Sequence, residues 1–130
     1  MGDWKRLVTL DIEGGPATFG AATTLPWKHA VSTAFEAWAA EHPARDPAAF
    51  RYFVDIEFRL RPSRHVGEVW DIDNLVKPTL DAMGAVFGNR VWRGPVQAAD
   101  DRVDRLVAQK RQPREGERPG ALITVQVKDA

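Results

Sequence analysis

The chain has 130 residues, enough for one hydrophobic core and too few for several domains. Hydrophobic residues at 44% beside charged residues at 28% exclude a disordered or low-complexity chain. A formal net charge of zero excludes a global pull on polyanions, and the lack of cysteine excludes disulfides, thiolate metal sites and cysteine nucleophiles.

The opening "MGDWKRLVTL" lacks a signal-peptide core, and no stretch is long and apolar enough to cross a bilayer. A cytoplasmic protein with no membrane partner is therefore expected, and absence of cysteine suits a reducing compartment. "KRLVTLDIE" alternates, with Val8, Leu10 and Ile12 on one face, and reads as a strand. "GGPATFGAATT" follows as an uncharged loop. A helix is expected from about Pro26, because proline is tolerated in a first turn. Trp27, Val31, Ala34, Phe35 and Trp38 give it an apolar stripe, and His42-Pro43 ends it.

"RYFVDIEFRL" is the clearest strand. Tyr52, Val54, Ile56, Phe58 and Leu60 face one way, with Asp55, Glu57 and Arg59 opposite. The basic segment "FRLRPSRH" carries Arg59, Arg61, Arg64 and His65 and leads to a second helix that buries Val76, Leu80, Met83 and Phe87. That helix is expected to stop near Gly88-Asn89 through a left-handed exit. "RVWRGPVQAA" reads as loop, "DDRVDRLVAQK" becomes a strand, and "ALITVQV" is the last strand. The order β-α-β-α-β-β with no internal repeat predicts a single α+β domain over residues 1–130, a mixed sheet with helices packed on it.

The stretch "VWDIDNLVKPTLDAM" carries the chemistry. Asp71 and Asp73, two residues apart, point the same way only on extended chain. Pro78 disfavours helical geometry at Lys77, so the helix is expected to begin there or to hold its proline in the opening turn. The two carboxylates then converge, and two such anions need a cation between them or one takes up a proton. Magnesium suits that pair, with its preference for hard oxygen ligands and substrate phosphates. Asp100 and Asp101 in "ADDRVD" offer a third carboxylate if their strand lies beside the Asp71 turn. The plain alternatives are helix capping by the aspartates and an i, i+4 pair between Asp73 and Lys77.

The string "DIDNLVKPTLDAM", then "VW", then "DDRVDRLVAQK", resembles the RusA family of Holliday junction resolvases, over Trp70 to Lys110. The specific part is D-x-D-N-x-x-K opening a helix. The resemblance implies a small dimeric endodeoxyribonuclease that cuts four-way DNA junctions with magnesium, manganese being a substitute. It implies Asp71 and Asp73 as metal ligands and Lys77 as a lysine needed for cleavage. The third ligand it implies is Asp100, by the phasing of Val103, Leu106 and Lys110, or Asp101 if the acidic pair itself is aligned. Strand alternation would let only one of them reach the metal.

The chain departs from the family pattern in two places. "RGPVQAA" inserts residues before the acidic pair, and "GGPATFGAATTLPWK" lacks the family's Pro-x-Ser-x-Asn pattern. A RusA-like DNA-binding module without activity is therefore the alternative. Arg59, Arg61 and Arg64, with Lys77, are the expected DNA contacts. Among five tryptophans, Trp27 and Trp38 fit the core and Trp92 is the plausible exposed wedge. His29 and His42 have no acidic partner at ligand spacing, His65 in its Arg-rich loop reads as a surface residue or phosphate contact before a general base, and no small-molecule cofactor motif is present.

Overall fold

The computed structural model describes residues 3–17, 24–61, 71–91 and 93–130. Strand β1 spans Lys5–Glu13, helix α1 Thr24–Ala40 and strand β2 Phe50–Arg59. Helix α2 (Ile72–Asp81) and the short helix α3 (Gly84–Phe87) follow. The strands β3 (Asn89–Val91), β4 (Val96–Ala98), β5 (Val103–Arg111) and β6 (Gly120–Asp129) complete the chain. The main sheet runs β1-β6-β2-β5. β6 is antiparallel to both β1 and β2, whereas β5 is parallel to β2. This is the mixed-sheet α+β domain expected from the element order.

Alternation in β2 decides which face is covered. Tyr52, Val54, Ile56 and Phe58 are fully buried and Leu60 nearly so. Their register partners on β6, Ala121, Ile123, Val125 and Val127, are buried with them. Trp27, Val31 and Phe35 of α1 and Leu75, Val76 and Leu80 of α2 close over that face. The opposite face has no helix on it among the described residues. Burial of this order, at about 25 cal/mol per Å² of apolar area, is what holds the layers together.

Two helices are stitched through one hydrogen bond. Trp27 Nε1 donates to Thr79 Oγ1 at 3.0 Å, and Thr79 Oγ1 donates to the Leu75 carbonyl at 2.9 Å. A buried indole N–H needs such a partner, and the hydroxyl supplies it between α1 and α2. Trp38, expected in the core, is only half-buried and stacks on His42 at 4.8 Å. Arg45 lies against Trp38, Phe50 and Tyr52 and donates to the Tyr52 hydroxyl and to the Val86 carbonyl. Burial lowers its pKa, and burial raises that of Tyr52.

Three expectations need correction. The segment read as loop contains a hairpin, with β3 and β4 paired antiparallel from Asn89↔Ala98 to Val91↔Val96. Its turn has positive φ at Arg93 (51°) and Gly94 (100°), the twist that short hairpins favour. The helix expected to continue to Phe87 breaks at Ala82 and Met83 before α3 resumes. Pro78 lies well inside α2 rather than in its opening turn. A proline there removes an intrahelical bond, a cost of about 3 kcal/mol, so burial of Leu75, Val76, Pro78, Thr79 and Leu80 must hold the helix. The chain leaves the helix at Gly88 as expected, but with φ 78° and ψ 177° the glycine is in an extended positive-φ conformation and not the left-handed helical one. A Cβ there would lie 2.7 Å from Arg102 Nη1, which donates to the Phe87 carbonyl at 2.5 Å.

Candidate metal and phosphate site

Asp71 is the N-cap residue of α2, in extended conformation (φ −64°, ψ 134°). Its carboxylate makes no capping hydrogen bond, so simple capping does not explain the residue. Asp73 already belongs to the first helical turn. The expectation that both aspartates sit on extended chain therefore holds for Asp71 alone. The helix starts earlier because Pro78 is tolerated in its interior. Both side chains are exposed and make no ion pair or hydrogen bond with another described residue.

Lys77 does not pair with Asp73. Its ammonium lies 2.8 Å from Asp81 Oδ1, one turn onward, and 3.3 Å from Asp100 Oδ2. The Asp81 hydrogen bond is the main cause raising the Lys77 pKa, with Coulomb attraction from Asp81 and Asp100 adding to it. The group stays an ammonium at neutral pH, able to contact a phosphate and unable to act as a general base.

Asp100 and Asp101 do not enter a strand. They open a 3-10 turn, Asp100–Arg102, and β5 begins only at Val103. Alternation therefore cannot separate them, and both meet one cation. Arg90 of β3 approaches Asp100 Oδ1 at 3.3 Å and Asp101 Oδ1 at 3.0 Å. Asp100 is the more enclosed, with 19% side-chain exposure against 56% for Asp101. Two cations thus face three carboxylates, and the cluster keeps a surplus negative charge.

Among the described residues, no three acidic or histidine side chains are grouped to hold one metal ion. The cage expected from Asp71, Asp73 and Asp100, or Asp101, is not assembled in this conformation. What α2 and the approach to β5 do bring together is Lys77 and Asp100. The donor chemistry nonetheless fits a hard dication. Asp71 and Asp73 present exposed carboxylates without a described ion-pair partner at the opening of the helix that carries Lys77, and magnesium commonly takes one or two carboxylates plus phosphate oxygens.

Arg59, expected at the DNA, is buried. Its Nη2 meets Asp11 Oδ1 at 2.5 Å and its Nε donates to the Arg118 carbonyl at 3.2 Å. The cause is its register partner Gly120, whose missing side chain leaves room for the guanidinium to fold across the sheet. Arg61 is exposed, whereas Arg64, His65 and Trp92 lie outside the described residues. Two residues of the cluster were not anticipated. Asp81 was visible as an i, i+4 partner of Lys77. Arg90 was hidden in a segment read as loop, where only the Arg-Gly pair between two short valine-bearing runs signalled a hairpin.

Compared with known proteins, the chain matches no family model. No curated protein matches it significantly. No helix of the described residues is long and apolar enough to cross a membrane.

Proposed function

We propose that this protein is a divalent-metal-dependent endodeoxyribonuclease of the RusA type that resolves four-way DNA junctions in the cytoplasm. The observation that carries the reading is the contact between Lys77 and Asp100, 23 residues apart in sequence. It joins the two halves of the motif string on which the family resemblance rests. Asp71 and Asp73 would hold magnesium or manganese, with Asp100, or less directly Asp101, as the third carboxylate. A bound ion supplies Lewis-acid charge to the phosphodiester.

The chain's own residues do the remaining work. Lys77 offers an ammonium to a phosphate oxygen as negative charge develops there, and Asp81 keeps it protonated and aimed. Arg61 is exposed just past the end of β2, away from the Lys77–Asp100 contact, where it can meet the DNA backbone only at a distance from the cleavage position. A symmetric junction has two equivalent scissile positions, so a two-fold homodimer with one site per subunit matches it.

The test is cleavage of a synthetic four-way junction in magnesium by the wild type and by Asp71→Asn. Loss of nicking with junction binding retained supports the reading. Continued nicking by Asp71→Asn overturns it.

The engagement of Asp100 by both Lys77 and Arg90 favours a second reading, a RusA-like DNA-binding module that has lost activity. Titration calorimetry with manganese separates the two. No heat of binding, together with no nicking of any branched DNA, selects the inactive module.

A further inference from the structure

The uncovered face of the main sheet has two ends of different character. At one end the charges neutralise each other. Arg59 pairs with Asp11, Arg111 with Glu57 and Glu117, and Arg118 with Glu13. At the other end they do not. One row across all four strands reads Arg6, Gln126, Phe53 and Arg105, and the next places Lys128 opposite Arg51. Among the described residues of this patch Arg51 forms an ion pair, with Asp104 at 2.5 Å, and Lys128 lies close enough to the same carboxylate to help lower its pKa. A groove at its edge is lined by Asp3 and Asp129 together with Trp4, Lys5, Phe50 and Lys128.

Two aromatic rings sit among these cations. Trp4 and Phe53 meet edge to face at 5.8 Å. Lys128 Nζ rests 4.7 Å from the Trp4 ring centroid and Arg105 Cζ 4.6 Å from that of Phe53. Both cations are exposed, and neither forms an ion pair with a described carboxylate. Both rings are half-buried, and a cation resting on such a ring at the surface is held by about 0.5–1 kcal/mol. It can therefore swing aside, exposing the π-face while its charge remains close by.

We propose that this end of the open sheet face is a platform for single-stranded DNA, with bases stacking on Phe53 and Trp4 and Arg6, Arg105 and Lys128 pairing with phosphates. Flat rings give sequence-tolerant stacking, and the excess of cations around them, Lys5, Arg6, Arg51, Arg105 and Lys128 against Asp3, Asp104 and Asp129, suits a polyanion whose bases are unpaired. The row is roughly 14 Å wide at normal strand spacing, room for about two or three bases. The patch shares its end of the sheet with Asp100, since β5 begins there and Val103 is in register with Tyr52. Its binding role is independent of the nuclease reading, because a protein that cuts nothing could still hold a single strand this way.

The test is fluorescence anisotropy of the full chain with labelled short oligo-dT and with an abasic strand of the same length, at fixed salt. Oligo-dT should bind about tenfold more tightly than the abasic strand. Phe53→Leu, which keeps apolar volume and removes the π-face, should cost oligo-dT about tenfold and leave the abasic strand unchanged. R105E and K128E lie on the exposed surface and keep the fold. Each should weaken both strands about tenfold and flatten the salt dependence. Equal affinity for the two strands overturns the stacking platform. So does oligo-dT binding that survives R105E and K128E. Competition by polyglutamate as effective as by oligo-dT would assign the patch to an acidic protein partner and overturn the proposal as well.

Discussion

On its inner side α2 carries Leu75, Val76, Thr79 and Leu80, all buried; on its outer side it carries Asp73, Lys77 and Asp81, all at least partly open to solvent. The inner side is satisfied. Its apolar atoms are packed and its one hydroxyl is bonded on both sides, to Trp27 and to Leu75. The outer side is not, because carboxylates outnumber cations around Lys77, Arg90 and Asp100. Unspent charge beside a saturated core separates what keeps the helix in place from what is available to a ligand. Substitutions on the two sides should therefore move different observables.

The largest effect belongs to the helix opening. Asp73→Asn should lower junction cleavage by a hundredfold or more, on the order expected when a charge-stabilising group is lost. Its unfolding free energy should stay within about 0.5 kcal/mol of wild type, because the carboxylate is exposed and has no described partner. A parallel fall in both would place Asp73 in the stabilising framework and erase the contrast. Lys77→Met comes next, with cleavage down about a hundredfold and stability down by less than about 1 kcal/mol. Single-turnover kinetics and urea denaturation read the two.

On the other side the pattern inverts. Thr79→Val removes the acceptor for the Trp27 indole and should cost about 1–3 kcal/mol in urea denaturation, with metal binding unchanged. Arg90→Gln sharpens the outer side. Removing the cation that spans Asp100 and Asp101 should raise manganese affinity, by up to about tenfold in calorimetry. Unchanged affinity would separate Asp100 from the metal.

The smallest effects are those of pH. Lys77 has a pKa raised above the usual 10.5, so its contribution is complete below that value and is lost as pH rises through the raised one. Glu117 is the opposite case. Hydrogen bonds, first from Arg111 and then from the Arg114 amide, hold its carboxyl at about 2 instead of 4.5. Its contribution is present above 4.5 and fades as pH falls toward 2. Glu117→Gln should flatten the urea midpoint over that acid window and leave the alkaline limb alone.

Much of the fold was legible because it depends on period. β2 alternates strictly, and the stripe of α1 and the glycine exit at Gly88 fall where side-chain spacing and backbone freedom put them. The missed features depend on tertiary context. Pro78 is carried inside α2 because burial outweighs its local penalty. Arg59 folds inward because a glycine stands across from it on a strand 61 residues later in sequence. The site was legible in part: Asp71, Asp73, Lys77 and Asp100 could be singled out from one string. The role of Arg90 could not, since nothing near residue 90 announces the partners that the hairpin delivers.

The position of β6 has a consequence for how the chain can assemble. It lies between β1 and β2 and is the only described bridge between them. Lys5 therefore waits for Val127, and the sheet cannot close in the order in which it is synthesised. Until β6 arrives, the apolar sides of β1 and β2 have no shared layer, so early intermediates would present them to any passing chaperone.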